Sequence, residues 1–112
     1  MTILIADDNR NIREFIKEIL SGLDHKIIEA TNGLMAVDNF IAHSPEIVLM
    51  DIKMKIMDGI EATEIIRKIS SEVKIIMVTD YNEESLRKRA KEAGANDYVL
   101  KENLLELKTK LI

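Results

Sequence analysis

Residues 47–61 read IVLMDIKMKIMDGIE, a stretch in which an apolar run leads into a charged loop and then into a helix. The run is apolar throughout, which is typical of a parallel strand covered on both faces by helices. Asp51 follows the run directly. Asp58 and Gly59 precede a helix with apolar residues at helical spacing, namely Ile60, Ile65, Ile66 and Ile69. The stretch therefore predicts a buried strand that ends in a carboxylate.

The same alternation of apolar runs and amphipathic stretches continues in both directions along the chain. Further strands are predicted at residues 3–6, 26–30, 73–78 and 98–100. Further helices are predicted over residues 12–23, from Asn32 and Gly33 to Ser44 and Pro45, from an Asn82 cap to Gly94, and over residues 103–112. Five strands alternating with five helices favour an α/β fold with a parallel sheet, in which ligands bind beyond the carboxyl ends of the strands.

Length and composition exclude several classes of function. The chain has 112 residues, which suits one domain over residues 1–112, and it has no cysteine, which excludes disulfides, thiolate metal sites and cysteine nucleophiles. Its net charge of -4 argues against nucleic acid as a direct partner. The sequence contains neither an apolar run of about 20 residues, as a membrane span needs, nor a signal peptide. We therefore expect a cytoplasmic protein without membrane contact.

Polar residues stand at the ends of four predicted strands: Asp7 and Asp8, Asp51, Thr79 and Lys101. Because the carboxyl ends of parallel strands meet at one edge of a sheet, these side chains should share a cleft. Each has an ordinary structural explanation alone, such as a helix N-cap at Asp8 or Asn9. Three carboxylates within about 5 Å of one another repel by a few kcal/mol per pair. The set therefore predicts a Mg²⁺ site, with Lys101 adding positive charge.

This set of residues suits phosphoryl transfer. Asp51 would be the nucleophile that attacks phosphorus and forms an acyl phosphate. Mg²⁺ held by Asp8 and Asp51 would neutralise charge on the transferred group, and Asp7 would support the metal through its water shell. Thr79 and Lys101 would hold the phosphoryl oxygens by hydrogen bond and charge.

Four segments carry a resemblance to a known family: residues 3–8 (ILIADD), 48–61 (VLMDIKMKIMDGIE), 75–79 (IIMVT) and 93–101 (AGANDYVLK). In their order and spacing they resemble the receiver domain of two-component response regulators. The resemblance implies a flavodoxin-like (βα)5 three-layer sandwich with strand order 2-1-3-4-5. It also implies that a sensor histidine kinase or a histidine phosphotransfer protein donates the phosphoryl group. The chain would then be a phosphoacceptor and not a multiple-turnover enzyme.

The resemblance further implies roles for individual residues in the metal site and in a conformational switch. Mg²⁺ would be bound by Asp8, Asp51 and the backbone carbonyl of Lys53. The switch would pair Thr79 with rotation of Tyr98. From the residues alone, Tyr98 could also be an ordinary residue of an exposed edge strand.

The resemblance also implies shielding and docking residues around the site. The large side chains of Lys53 and Tyr81 would shield the acyl phosphate from water, so that it is comparatively long-lived. Asn11, Ile12 and Phe15 would dock on the helical bundle that carries the phosphohistidine. The alternative for Ile12 and Phe15 is a purely structural role in the core.

Three positions depart from the family pattern. Lys55 replaces a proline in the loop after the phosphoacceptor, which would loosen that loop. Glu102 replaces a proline after Lys101, and we expect a trans peptide because a non-proline cis bond costs about 3–4 kcal/mol. Asp80 replaces a small residue next to Thr79, and we expect its side chain to point outward.

Three other functions remain open from the sequence. A flavodoxin-like cofactor binder would need a free helix N-terminus after the first strand, where Asp7 and Asp8 repel an anion. A Mg²⁺-dependent phosphatase would need its nucleophile after the first strand, and a larger cap. A degenerate receiver would act only as a protein-interaction module.

Overall fold

The computed structural model describes residues 1–22 and 24–111, so Leu23, predicted in the first helix, and Ile112, predicted in the last, lie outside the described residues. In chain order the elements are β1 (Thr2–Ala6), α1 (Arg10–Ile19), β2 (Lys26–Ala30), α2 (Gly33–His43), β3 (Ile47–Met50), α3 (Gly59–Ile69), β4 (Lys74–Thr79), α4 (Glu84–Ala93), β5 (Asp97–Leu100), a 3-10 helix (Lys101–Glu106) and α5 (Leu107–Lys110). None of these helices is long and apolar enough to cross a membrane.

The five strands form one parallel sheet in the order β2-β1-β3-β4-β5, which confirms the predicted fold class and strand order. Ala6 at the end of β1 lies opposite Met50 at the end of β3. Thr79 at the end of β4 lies opposite Leu100 at the end of β5. The residues that follow β1, β3 and β5 therefore leave the sheet at one edge, where Thr79 also lies.

Alternate residues of each strand face opposite layers of the molecule. In β3, Val48 and Met50 pack in the cluster that contains residues of α2, α3 and α4. Ile47 and Leu49 pack in the other cluster, which contains residues of α1 and α5. Because both faces of β3 are covered, every residue of the strand is apolar. The predicted three-layer arrangement is confirmed.

Side-chain caps set the starts of three helices. Asn9, rather than Asp8, caps α1, and its Oδ1 accepts hydrogen bonds from the backbone N–H groups two and three residues further on. Asn32 and Asp58 cap α2 and α3, which begin at the predicted positions. At the other end of a helix, Gly94 terminates α4 with φ of 114°, a conformation that favours glycine.

The predicted cap of α4 is wrong. The residue at the N-cap position is Glu83, and it makes no side-chain cap hydrogen bond. The Oδ1 atom of Asn82 accepts a hydrogen bond from Nε of Arg87 at 2.8 Å instead. Arg87 of α4 therefore binds the side-chain oxygen of Asn82 that was predicted to accept from the backbone at the start of the helix.

The prediction of one continuous helix over residues 103–112 is also wrong. A 3-10 helix precedes α5, and Asn103 within it has non-helical φ and ψ of -121° and 35°. Leu104 and Leu107 are both buried against the sheet. The apolar spacing of this segment fits a 3-10 helix as well as an α-helix, so the pattern did not distinguish the two.

Candidate functional site

Asp51 lies at the centre of the sheet edge, directly after β3. Its backbone N–H donates to the Ala6 carbonyl at 2.9 Å, which ties it to β1. Its Oδ1 accepts from the Ile52 N–H at 2.8 Å, and the residue is only 4% exposed. On the other side, a Cβ added at Gly59 would lie 1.8 Å from the Asp51 carbonyl oxygen. The start of α3 therefore packs directly on the backbone of Asp51.

Asp7 and Asp8 follow β1 and have contrasting surroundings. Asp7 is 2% exposed and its Oδ1 accepts from the Asn9 N–H at 2.8 Å, whereas Asp8 is exposed. One carboxylate oxygen from each of Asp7, Asp8 and Asp51 lies within 4.8 Å of the others. Three hard oxygen donors at this separation fit a divalent cation such as Mg²⁺. The predicted carboxylate cluster is therefore assembled by the fold.

Lys101 reaches into this cluster from the end of β5. Its Nζ lies 2.8 Å from Asp7 Oδ2 and 3.2 Å from Asp51 Oδ2. The peptide bond that links it to Glu102 is trans, as expected without proline. Burial disfavours the charged form of Lys101, but the hydrogen bond that its ammonium donates to Asp7 and the charges of both carboxylates outweigh it, so its pKa is raised. The ammonium therefore bridges the two buried carboxylates.

The ionised form of Asp51 is destabilised by its surroundings. Burial and the neighbouring Asp7 charge raise its pKa from the usual 3.8 to about 6, although Lys101 and the Ile52 N–H act in the opposite direction. At neutral pH the site holds more negative charge than its single ammonium balances. A bound cation would offset this excess, which agrees with the chemistry of the donor set.

Thr79 and Tyr98 each make a hydrogen bond with the backbone of Tyr81. Thr79 is fully buried at the end of β4, and its Oγ1 accepts from the Tyr81 N–H at 3.4 Å. The Tyr98 hydroxyl donates to the Tyr81 carbonyl at 2.7 Å. The guanidinium of Arg87 lies 4.4 Å from the centre of the Tyr98 ring. The two predicted switch residues are therefore joined by the loop that leads into α4.

The predicted shielding residues are in contact with each other. Lys53 and Tyr81 lie on the loops after β3 and β4, both are exposed, and the Lys53 Nζ lies 5.4 Å from the centre of the Tyr81 ring. Asp80 is exposed, in agreement with the expected outward direction. Lys55 is also exposed, in the same loop as Lys53.

The predicted docking residues lie on the first turns of α1. Asn11 is exposed, and Phe15 is 49% exposed, which rules out a purely core role for Phe15. Ile12 is partly buried and packs against the cluster between the sheet and α1. Asn11 and Phe15 are therefore more accessible than Ile12, which lies partly in the core.

One pair near the site was missed by sequence reasoning. Arg13 donates from Nη1 to the Asp7 carbonyl and from Nε to Oε1 of Glu29, both at 2.9 Å. A signal for it exists, because Glu29 lies between the apolar residues Ile28 and Ala30 inside a strand. A half-buried acid within such a strand requires a cationic partner.

Comparison with known proteins assigns this architecture to a family. The sequence model of the response regulator receiver domain matches residues 3–112. Chemotaxis protein CheY of Bacillus subtilis (strain 168) is 41% identical over 100 residues, which cover 88% of this chain and 83% of that protein. Sporulation initiation phosphotransferase F of the same organism is 36% identical over 93 residues, which cover 83% of this chain and 75% of that protein.

Solved structures give the same assignment. A CheY-like receiver domain protein from Methanospirillum hungatei JF-1 has a TM-score of 0.91 at 30% identity, covering 98% of this chain and 89% of that chain. A chain of the CheX-CheY-BeF3-Mg+2 complex from Borrelia burgdorferi has a TM-score of 0.91 at 26% identity, covering 99% of this chain and 86% of that chain. The present chain belongs to the response regulator receiver domain family of two-component systems.

Proposed function

We propose that residues 1–112 form a receiver domain that takes up a phosphoryl group on Asp51 in a Mg²⁺-dependent reaction and then switches conformation. The observation that carries the proposal is the position of the Lys101 ammonium, which touches both Asp7 and Asp51 at the edge where three carboxylates converge. A phosphoryl group bonded to Asp51 would present its oxygens to this ammonium and to the Thr79 hydroxyl. The site therefore combines a nucleophile with groups that stabilise added negative charge.

The transfer step follows from the chemistry of these groups. An Asp51 carboxylate oxygen forms a bond to phosphorus while the N–P bond of a phosphohistidine breaks and its electron pair returns to the imidazole. Lys101 and Thr79 hold the phosphoryl oxygens. Asp8, Asp51 and the Lys53 backbone carbonyl are the proposed Mg²⁺ ligands, with Asp7 acting through water, and the ion supplies charge neutralisation when bound.

Phosphoryl uptake is testable with a small donor. Wild type and Asp51→Ala are incubated with acetyl phosphate, with Mg²⁺ or with EDTA, and the intact mass is measured. We expect a gain of one phosphoryl group only for wild type with Mg²⁺. Asp80→Ala is the matched control because this exposed carboxylate lies next to Thr79. No mass gain in wild type would contradict the proposal and favour a degenerate receiver that only binds other proteins.

The same experiment separates a phosphoacceptor from a multiple-turnover enzyme. With acetyl phosphate in excess, we expect a first phase that loads one phosphoryl group per chain, followed by slow hydrolysis. Continuous release of phosphate without accumulation of the loaded form would favour a phosphatase.

The proposed switch uses the contacts around Tyr81. Phosphoryl oxygens on Asp51 would attract the Thr79 hydroxyl, which now accepts from the Tyr81 N–H at 3.4 Å. Movement of this loop changes the acceptor of the Tyr98 hydroxyl, because that acceptor is the Tyr81 carbonyl. The Tyr98 ring and the adjacent Arg87 would then carry the change to the surface of α4.

A sensor histidine kinase or a histidine phosphotransfer protein is the proposed donor, and we place the reaction in the cytoplasm, in keeping with the likeness to CheY proteins. The proposed docking surface on α1 consists of Asn11, Ile12 and Phe15, of which Phe15 is the largest exposed side chain. Phe15→Ala should slow transfer from a histidine donor protein while leaving uptake from acetyl phosphate unchanged. Ile41→Ala, at a 60% exposed position on α2, is the control. Equal effects of the two variants would contradict docking at α1.

A further inference from the structure

We propose that Arg13 is a positioning residue that fixes the peptide between Asp7 and Asp8 and thereby increases the affinity of the carboxylate cluster for Mg²⁺. The inference rests on the proposed function, because it assigns a supporting residue to the same metal site. The Arg13 side chain is 13% exposed, so it is held inside the structure rather than in solvent.

The two hydrogen bonds of Arg13 connect the site to an edge strand. Nη1 donates to the Asp7 carbonyl oxygen at 2.9 Å, and this oxygen belongs to the peptide that joins Asp7 to Asp8. Nε donates to Oε1 of Glu29 at 2.9 Å. Glu29 lies in β2, opposite Ile5 of β1. The guanidinium therefore bridges a regular strand and the loop that carries two of the acidic side chains.

Glu29 is itself a firm anchor for the guanidinium. Its Oε2 accepts from Lys17 Nζ at 3.1 Å, and Lys17 also contacts Oε1 of Glu14 at 2.8 Å. Burial raises the pKa of Glu29, but the hydrogen bonds from Arg13 and Lys17 outweigh it, so the pKa is lowered. Glu29 is thus ionised at neutral pH. Its charge also balances that of Arg13, which leaves the guanidinium as a hydrogen-bond donor with little net repulsion towards a nearby cation.

The peptide held by Arg13 determines where Asp8 points. Asp7 is fixed by its N–H, which donates to the Ala30 carbonyl at 3.0 Å, and by its Oδ1, which accepts from Asn9. Asp8 is exposed, and its carboxylate must be aimed by the backbone that precedes it. Rotation of the peptide after Asp7 would swing Asp8 away from the cluster. Groups that orient metal ligands in this way commonly change metal affinity by one or two orders of magnitude.

Mg²⁺ titration of two matched variants tests the inference. Arg13→Met removes both hydrogen bonds and keeps an aliphatic stem. Lys17→Met also removes a cation from Glu29 but leaves the bond to the Asp7 carbonyl intact. The amide resonances of Asp8 and Asn9 report Mg²⁺ binding by NMR without any phosphodonor, and thermal unfolding in EDTA reports stability separately.

We expect Arg13→Met to weaken Mg²⁺ binding about tenfold and Lys17→Met to weaken it less than about twofold, with similar melting temperatures for the two variants in EDTA. Arg13→Lys should recover part of the affinity, since an ammonium can also donate to the Asp7 carbonyl. Mg²⁺ affinity in Arg13→Met within twofold of wild type, or an equal loss in both Met variants, would overturn the inference alone. Absence of Mg²⁺ binding in wild type would overturn the proposed function together with it.

Discussion

The Lys53 ammonium lies 5.4 Å from the centre of the Tyr81 ring, so side chains from the loops after β3 and β4 are in contact. A cation over an aromatic face at an exposed site is stabilised by about 0.5–1 kcal/mol. We expect this contact to order two flexible side chains so that they restrict the approach of water to an acyl phosphate on Asp51.

Loss of this contact should shorten the lifetime of the phosphorylated state. If the shielding is worth about 1 kcal/mol in the hydrolysis barrier, Lys53→Asn and Tyr81→Ala each increase the rate about fivefold. The measurement is phosphate release after removal of excess acetyl phosphate. Lys55→Asn, an equally exposed change in the same loop, is the control. Unchanged rates in both Lys53→Asn and Tyr81→Ala would contradict the shielding role.

The pKa of Asp51 predicts a pH dependence of stability in the metal-free protein. Because the folded-state pKa is about 6 and the usual value is 3.8, the folded state binds more protons at this residue between those values. Its contribution to stability is thus fully present below about pH 4 and is lost as pH rises through about 6.

Asp51→Asn isolates this contribution. Relative to wild type, the free energy of unfolding of the variant should increase between pH 4 and pH 7 by up to about 3 kcal/mol. Chemical denaturation in EDTA measures the difference, and Mg²⁺ at pH 7 should reduce it by stabilising only wild type. A difference that stays constant with pH would show that burial does not raise the pKa of Asp51.

Lys101→Met should destabilise the metal-free protein by about 3 kcal/mol at pH 7, because two buried carboxylates lose their shared cation. Lys110→Met is the control, since its ion pair with Asp97 lies in a more exposed place and should contribute less than about 1 kcal/mol. Urea denaturation compares the two variants. Saturating Mg²⁺ should reduce the deficit of Lys101→Met but not that of Lys110→Met, and equal behaviour of the two would refute this account.

Gly59→Ala should disturb Asp51 without changing any polar group of the site. The added Cβ would lie 1.8 Å from the Asp51 carbonyl oxygen, so α3 must move, at a cost of about 2 kcal/mol or more. Gly22→Ala is the control: it meets no atom within 4 Å, and its φ of 84° costs about 1 kcal/mol. The free energy of unfolding and the Asp51 amide resonance report the two effects. A large shift of that resonance is expected for Gly59→Ala only.

Tyr98→Phe should release the loop after β4. The lost hydroxyl donates to the Tyr81 carbonyl at 2.7 Å, and removal of one such bond costs about 1 kcal/mol. Tyr81→Phe is the control because it leaves that carbonyl in place. Hydrogen exchange of the amides around residue 81 should be faster in Tyr98→Phe alone. Equal protection in both variants would show that this hydrogen bond does not order the loop.

The fold class and the members of the acidic cluster can both be predicted from the order of the residues. Apolar runs such as residues 47–50 encode strands covered on both faces, and the residue after each run must lie at the carboxyl edge of a parallel sheet. Asp7, Asp51 and Lys101 could therefore be placed together before any distance was known. Resemblance to the receiver family added the strand order, because local pattern alone does not specify which strands pair.

The contacts between individual side chains depend on how the elements pack in three dimensions. The Arg13 bonds to Glu29 and the Asp7 carbonyl, the double contact of Lys101, and the capture of Asn82 by Arg87 all depend on register and rotamer. Local periodicity records whether a position is buried, but not the direction of a long polar side chain. The positions of the carboxylates at the strand ends could be predicted from the sequence. The contacts that orient these side chains and neutralise their charge could not, because they join elements that are distant along the chain.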